Sequence, residues 1–280
     1  MIDIHTHPVM IKELIQSDAA LADAIHDVFG FFFPPQPLEC FLLEMDAAGI
    51  DRAVLLPIDC TTAHGCRIVT NEQVAELASH SERFIGFASV DPSLKDAPAQ
   101  LERAITGLGL RGLKLDPSLQ RFNPGDKTSA YPLYQTCASL NVPVLLHCGM
   151  SLAPSGLAQN AHPLLLEDAV QEFPRLNFIL AHFCWPWVQE AAMLAIKYPN
   201  VYLDTAILYS GTPQDALQHV LGVQVGLDVV ERSLFNKLLF GTNYPRVDMR
   251  RSVRGVKALG LSPATEQNLF NDNAQRLLAL

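Results

Sequence analysis

The sequence predicts a single-domain (β/α)8 barrel, and three observations predict it. Eight short apolar runs alternate with stretches of helical periodicity along the chain. Those runs are nearly continuous in Val, Ile, Leu and Ala, the mark of parallel strands that are covered on their outer face. The chain has 280 residues, and a barrel of this kind commonly reaches about 250 residues as one domain. An open doubly wound sheet is the alternative, but it would carry a glycine-rich phosphate loop after an early strand, and the sequence has none. No linker, low-complexity tract or internal repeat interrupts the alternation, so one domain over residues 1–280 is expected.

The first strand lies in Met1-Ile2-Asp3-Ile4-His5-Thr6-His7-Pro8, an apolar run that ends in two histidines one residue apart. Alternate side chains of a strand share a face, so His5 and His7 are expected to point the same way, with Asp3 behind them. Pro8 has no N–H to donate and suits the point where the strand stops. The run Phe29-Gly30-Phe31-Phe32-Phe33-Pro34-Pro35 is either core or the cover of a pocket, with core favoured because Phe is usually buried. Leu38, Phe41, Leu42 and Met45 recur at helical spacing and predict a helix over 37–48 that stops at Gly49. Strands are then expected at 53–57, 84–90, 111–115, 144–147, 178–181, 201–203 and 237–240. Between them the periodicity predicts helices at 71–79, 97–105, 131–140, 163–173, 187–197 and 213–232, with helical segments closing the chain.

Composition narrows the function. Hydrophobic residues make up 49% of the chain and charged residues 18%, which suits a globular protein with a buried interior. A formal charge of -9 argues against a nucleic-acid partner, and the one basic cluster, from Arg246 to Arg254, reads as a solvated helix. No apolar run is long enough for a membrane helix, and the acidic, histidine-bearing start is unlike a signal peptide. Cys40, Cys60, Cys66, Cys137, Cys148 and Cys184 lack the spacing of a structural zinc site, and reduced thiols in a cytoplasmic enzyme are the simpler account.

In such a barrel, function collects where strands end at their C-terminal edge, because the loops there share one mouth. The expected strand ends carry His5 and His7, then Lys114 and Asp116, His147, His182, Asp204 and Asn243. A single histidine at a strand end is usually an ordinary polar residue, but four from three strand ends point together to a metal site.

These residues sit in motifs that resemble the amidohydrolase-related metal-dependent hydrolases and decarboxylases, of the branch that includes aminocarboxymuconate semialdehyde decarboxylase. The resemblance runs along nearly the whole chain, through Asp3-Ile4-His5-Thr6-His7, Gly112-Leu113-Lys114-Leu115-Asp116-Pro117 and Leu146-His147-Cys148-Gly149 to Ala181-His182-Phe183-Cys184-Trp185-Pro186-Trp187, Asn200-Val201-Tyr202-Leu203-Asp204 and Phe240-Gly241-Thr242-Asn243-Tyr244-Pro245. It implies one catalytic divalent metal, zinc ahead of manganese, held by His5, His7 and His147. It implies that His182 lies near the metal and orients or polarises substrate and water. A homodimer is among the assemblies it allows.

The family pattern has an aspartate after the eighth strand that takes a proton from water, and here Asn243 stands in its place. An amide is neutral and cannot serve as general base. Asp116 and Asp204 are the candidates for that work, against the plainer readings of an Asp116–Lys114 ion pair and a loop cap at Asp204. Lys114 is expected to hold a substrate carboxylate, ahead of a carbamylated lysine bridging two metals, and Asp204 joins it as a candidate substrate contact. Cys148 and Cys184 stand beside His147 and His182 and are the minor candidates for extra ligands. Trp185 and Trp187 wall a pocket or lock a turn, and His26, His64, His80, His162 and His219 fall outside the pattern as surface or capping residues.

The leading expectation is therefore a metal-dependent hydrolase of a small carboxylated or carbonyl compound. The first alternative is a non-oxidative decarboxylase of an aromatic or muconate-type acid, in which the neutral Asn243 does less damage. The second is a barrel that binds a ligand without chemistry.

Overall fold

The computed structural model describes residues 1–206, 209 and 211–280. Its parallel strands are β1 (Ile2–Thr6), β2 (Arg52–Leu55), β3 (Phe84–Gly86), β4 (Leu113–Leu115), β5 (Val144–Leu146), β6 (Phe178–Leu180), β7 (Val201–Asp204) and β8 (Leu238–Leu239). They pair in two ladders, β1-β2-β3 and β4-β5-β6-β7-β8. Backbone hydrogen bonds cross both gaps between the ladders. Lys114 N–H donates to Ala88 O at 2.7 Å, and Ala88 N–H to Gly112 O at 2.7 Å. At the other seam Ile4 N–H donates to Phe240 O at 2.8 Å, Asn243 N–H to His5 O at 2.8 Å and His7 N–H to Tyr244 O at 2.7 Å. The expected eight-strand barrel thus forms, and its first strand meets its last.

Burial on both faces of the strands explains their apolar composition. Ile2, Ile4, Val54, Leu56, Ile85, Phe87, Leu145, Ile179 and Leu239 come from six strand segments yet form one cluster, which only the inside of a ring permits. Ala274, Leu277 and Leu278 of the helix Asn273–Leu278 join that cluster and floor the barrel. The opposite parity, with Leu55, Leu115, Leu146, Leu180 and Leu203, packs outward on helix residues such as Leu101, Leu133 and Leu194. The expected helices appear as Leu38–Ala48, Asn71–His80, Ala97–Leu108, Tyr131–Leu140 and Val188–Lys197. Gly49 ends the first of them with φ of 71°, in the left-handed region that glycine enters without a Cβ clash.

Several expectations need correction. The strand expected at 84–90 is regular over Phe84–Gly86 and pairs again at Ala88, and the one at 237–240 is regular over Leu238–Leu239, with Lys237 O and Phe240 O accepting from the neighbouring strands on either side. The helical region expected at 213–232 forms, with one interruption at Gly226 that divides it into 213–226 and 227–234. Gly226, with φ of 90°, cannot continue a helical path. After β2 comes an antiparallel hairpin, Ile58–Cys60 with Cys66–Ile68, that periodicity did not reveal. The aromatic run divides: Phe29 and Phe31 are buried, while Phe32 and Phe33 are each 68% exposed.

Simple alternation also fails in β1. Ile4 belongs to the inner cluster, yet the neighbouring His5 ring lies 4.8 Å from that of His182, at the inner mouth. The register of β1 on β2 slips between Asp3 and Thr6. Such an irregularity re-aims side chains, so consecutive residues can both serve the interior. Asp3 accepts His5 N–H at 3.1 Å, and by accepting Thr242 Oγ1–H at 2.6 Å and Thr242 N–H at 3.1 Å it ties β1 to the segment after β8. Burial pushes its carboxyl up to about 7.

Candidate active site

Every residue singled out at a strand end is buried, and all of them lie at the same end of the barrel. His5 and His7 come from β1 and the residue after it, Lys114 from β4, and Asp116, His147 and His182 from the turns after β4, β5 and β6. Local backbone aims two of them. Gly149, with φ of 91°, lets the turn after His147 pass so close to the turn after β6 that a Cβ there would meet Trp185 O at 2.2 Å. His182, Phe183 and Cys184 all have φ between 48° and 62°. Three such residues in a row are costly, and strain of this kind gathers where a side chain must be presented to a site.

The hydrogen bonds assign each imidazole a proton position. His7 Nδ1–H donates to Leu56 O at 2.9 Å, and His5 Nδ1–H to Asp204 Oδ2 at 2.7 Å. Both Nε2 atoms therefore carry lone pairs, and they face each other at 3.3 Å. Two acceptors cannot bond one another. The spacing is the one that two nitrogens take when each lies roughly 2.0–2.1 Å from a tetrahedral cation. His182 Nδ1–H donates to Ala206 O at 2.7 Å, so its Nε2 accepts from His147 Nδ1–H at 3.1 Å. That leaves His147 Nε2 as a buried lone pair with no partner among the described residues. Three unprotonated ring nitrogens in one mouth fit a divalent cation by their own chemistry.

Another grouping is tighter. Ligand atoms of His5, His182 and Asp204 all lie within 4.8 Å of one another, a set that includes neither His7 nor His147. Its carboxylate, however, is already engaged. Asp204 Oδ1 accepts His182 N–H at 2.7 Å and Ala206 N–H at 3.1 Å, and Oδ2 accepts from His5. The Nε2 atoms of His5, His7 and His147 are the ones left without donors, although the three do not all lie within 4.8 Å of one another.

Asp204 is fully buried and, like His5, is not among the described residues that line the cleft; its Oδ2 orients the His5 ring. Asp116 and Lys114 form no ion pair within 4.0 Å among the described residues. Asp116 Oδ1 accepts Leu119 N–H at 3.0 Å, and Oδ2 lies 3.9 Å from His147 Nδ1. Burial raises the Asp116 carboxyl against the opposing charge of Lys114, and lowers the Lys114 ammonium against Asp116 and Asp204. Burial also holds His5, His7 and His182 well below the usual histidine range and brings His147 to about 3, so all four are neutral, the form that binds metal. Cys148 and Cys184 are buried beside the histidines and lie outside the cleft lining.

The cleft is lined by His7, Lys114, Asp116, His147, His182 and Asn243, and also by Phe29, Tyr209 and Arg246. The sequence did not single out the last three for the site. Arg246 was hidden in a basic cluster whose helix starts only at Met249. Phe29 was half visible as a pocket cover, and Tyr209 carried no signal. A wider hollow of about 550 Å³ lies near Asp59, Arg67 and Arg103, away from the histidines, and offers no cluster of ligands.

Comparison with known proteins agrees with this geometry. Protein fluG of Emericella nidulans is 31% identical over 103 residues, 37% of this chain and 11% of that protein. A 2-keto-4-carboxy-3-hexenedioate hydratase of Sphingobium sp. is 25% identical over 224 residues, 68% of this chain and 62% of that one, so this chain spans less than two thirds of either relative. A gamma-resorcylate decarboxylase of Polaromonas sp. is 25% identical over 301 residues, with 87% of this chain and 84% of that one covered. Among solved structures, an uncharacterized TIM-barrel protein of Bordetella bronchiseptica superposes with a TM-score of 0.78 at 26% identity, covering 100% of this chain and 98% of that one. The amidohydrolase family model matches residues 2–280; with histidines from three strand ends meeting at the mouth of an eight-strand barrel, the chain belongs to the amidohydrolase family.

Proposed function

We propose that this chain is a metal-dependent enzyme that removes carbon dioxide from a small carboxylic acid without oxidation. The observation that carries the reading is where the carboxyl groups stand. Asn243 lines the cleft as a neutral amide, Asp204 is spent on His5 and two backbone N–H groups, and Asp116 is the one carboxyl of the set that reaches the cleft. Burial raises Asp116, the direction that keeps its proton on. A protonated acid suits a reaction that must deliver a proton to carbon, whereas hydrolysis needs a carboxylate to take one from water. The hydrolase expectation is therefore the less supported, and nothing among the described residues favours a barrel without chemistry.

His5, His7 and His147 would hold the metal, with Asp204 fixing His5 and Leu56 O fixing His7. Bound there, the ion supplies Lewis-acid stabilisation of the charge left on the substrate. Lys114 draws the acid group into the cleft beside Asp116. As the bond from carbon to the carboxylate breaks, its electron pair stays on carbon, Asp116 gives that carbon a proton, and the carboxylate departs as carbon dioxide. Asp116 is then reprotonated from solvent. The walls of the cleft help, since a carboxylate with little water around it loses carbon dioxide more readily.

The test uses zinc- or manganese-loaded protein and carboxyl-13C hydroxybenzoic and muconate-type acids in 18O-water and in D2O. We expect labelled carbon dioxide, deuterium at the vacated carbon and no 18O in the organic product. Incorporation of 18O without gas release would show addition of water instead and overturn the decarboxylase reading.

A further inference from the structure

We propose that Arg246 determines specificity by reading a second acid group on the substrate, so that the compounds taken are small acids with two anionic groups. The inference deepens the decarboxylase reading and rests on it for the first group, the one at Lys114.

The cleft's charges lead to it. Lys114 and Arg246 line it as cations, Asp116 is the single carboxyl among the described lining residues, and Asn243 adds no charge. Asp116 can offset at most one of these two cations, which leaves a positive charge in the lining for the substrate to meet. A buried or half-buried charge is tolerated when something of opposite sign meets it. Among the described residues Arg246 has no carboxylate partner. By contrast, Arg250 on the neighbouring helix pairs with Asp248 at 3.6 Å.

The guanidinium is held in place rather than left free. Its carbon lies 4.4 Å from the centre of the Phe29 ring and 6.0 Å from that of Phe31. Nη1 donates to Gly30 O at 3.3 Å, and Nη2 donates to Phe29 O. Both acceptors are neutral carbonyls, and they use only two of the five N–H donors of an arginine. The remainder suit a carboxylate, whose two oxygens match the planar fork of a guanidinium but not an ammonium. Stacking on Phe29 and the carbonyl contacts limit the rotamer freedom that binding would otherwise remove.

Calorimetric titration of the zinc-loaded and the metal-free protein with glutarate and with butyrate tests this. Wild type should bind glutarate at least about tenfold more tightly than butyrate, the scale of one charge-assisted bidentate contact. Arg246→Met should bring glutarate down to the butyrate level and leave butyrate within about twofold, while Arg246→Lys should keep part of the preference. A wild type with no preference for glutarate, or an Arg246→Met protein that keeps the preference, would overturn the assignment. If Arg246→Met does not fold, the wild-type comparison and Arg246→Lys still decide it. Metal content measured on the same samples separates the two ideas: loss of metal binding strikes the decarboxylase reading, whereas the dicarboxylate preference of metal-free protein reports on Arg246 alone.

Discussion

Asp204 shows how a single residue sets the site without touching the cleft. Its oxygens accept from His5 Nδ1–H, His182 N–H and Ala206 N–H, so Asp204→Asn should disturb the tautomer of His5. Metal affinity is expected to fall by about 10- to 100-fold, read by competition with a chromophoric chelator. Asn243→Asp should do the reverse for affinity, since it adds a negative charge beside the ion, and yet should not raise turnover if Asp116 is the proton donor. A gain in turnover with 18O in the product would mean that the native site is a weakened hydrolase. Gly149→Ala places a methyl 2.2 Å from Trp185 O at a positive φ, and should cost on the order of 3 kcal/mol or more in urea unfolding. The histidines were legible in the sequence because each stands where an apolar run ends. Arg246 was not, because a lone charge followed by Arg250, Arg251 and Arg254 looks like one more residue of a solvated face. Its role depends on Phe29, which is far away in the sequence and near only in the fold.

At the scale of elements, strands and long amphipathic helices were readable, while turns that break a pattern were not. Tyr131–Leu140 forms as expected because its apolar residues keep one face and Asn141 ends it in the left-handed region. The hairpin Ile58–Cys60 with Cys66–Ile68 escaped because Asp59 and Arg67 interrupt its two short strands, which leaves no apolar run to mark them. The helix Pro263–Gln267 is tied to the helical segment Val230–Leu234 by Glu231, which accepts Ser262 N–H at 2.6 Å, Ser262 Oγ–H at 2.8 Å and Thr265 Oγ1–H at 2.5 Å. The Thr265 hydroxyl, followed by the Ser262 N–H, lowers the Glu231 carboxyl below its usual 4.5. A depressed folded pKa means that this contribution is present above the unfolded value and is lost as pH falls through the folded one. Glu231→Gln should therefore lower the melting temperature by about 1–3 °C at pH 7, and the gap should close as the pH drops below 4.5.

For the molecule as a whole, the apolar inner cluster and the outer shell do not depend on a cation. Metal removal with a strong chelator should leave the far-ultraviolet circular dichroism unchanged and lower the melting temperature, with recovery that rises with added zinc. Collapse of the helical signal on chelation would show that the metal holds the barrel together. The barrel itself was legible because its logic is global: an apolar strand followed by a helix, eight times over. Its closing seam was not, since nothing in residues 2–7 or 240–244 announces that they pair. No helix among the described residues is long and apolar enough to cross a membrane.

That seam has a consequence for how the protein is made. Asp3 and Thr242, which clasp across it, stand 239 positions apart. During synthesis His5 and His7 leave the ribosome long before Asn243 and Tyr244, and until then β1 has a neighbour on one side only. The metal pocket therefore cannot mature gradually from one end of the chain. A ribosome-stalled fragment ending before residue 238 should bind zinc poorly, however well its earlier strands have folded, because one wall of the pocket has not yet been translated.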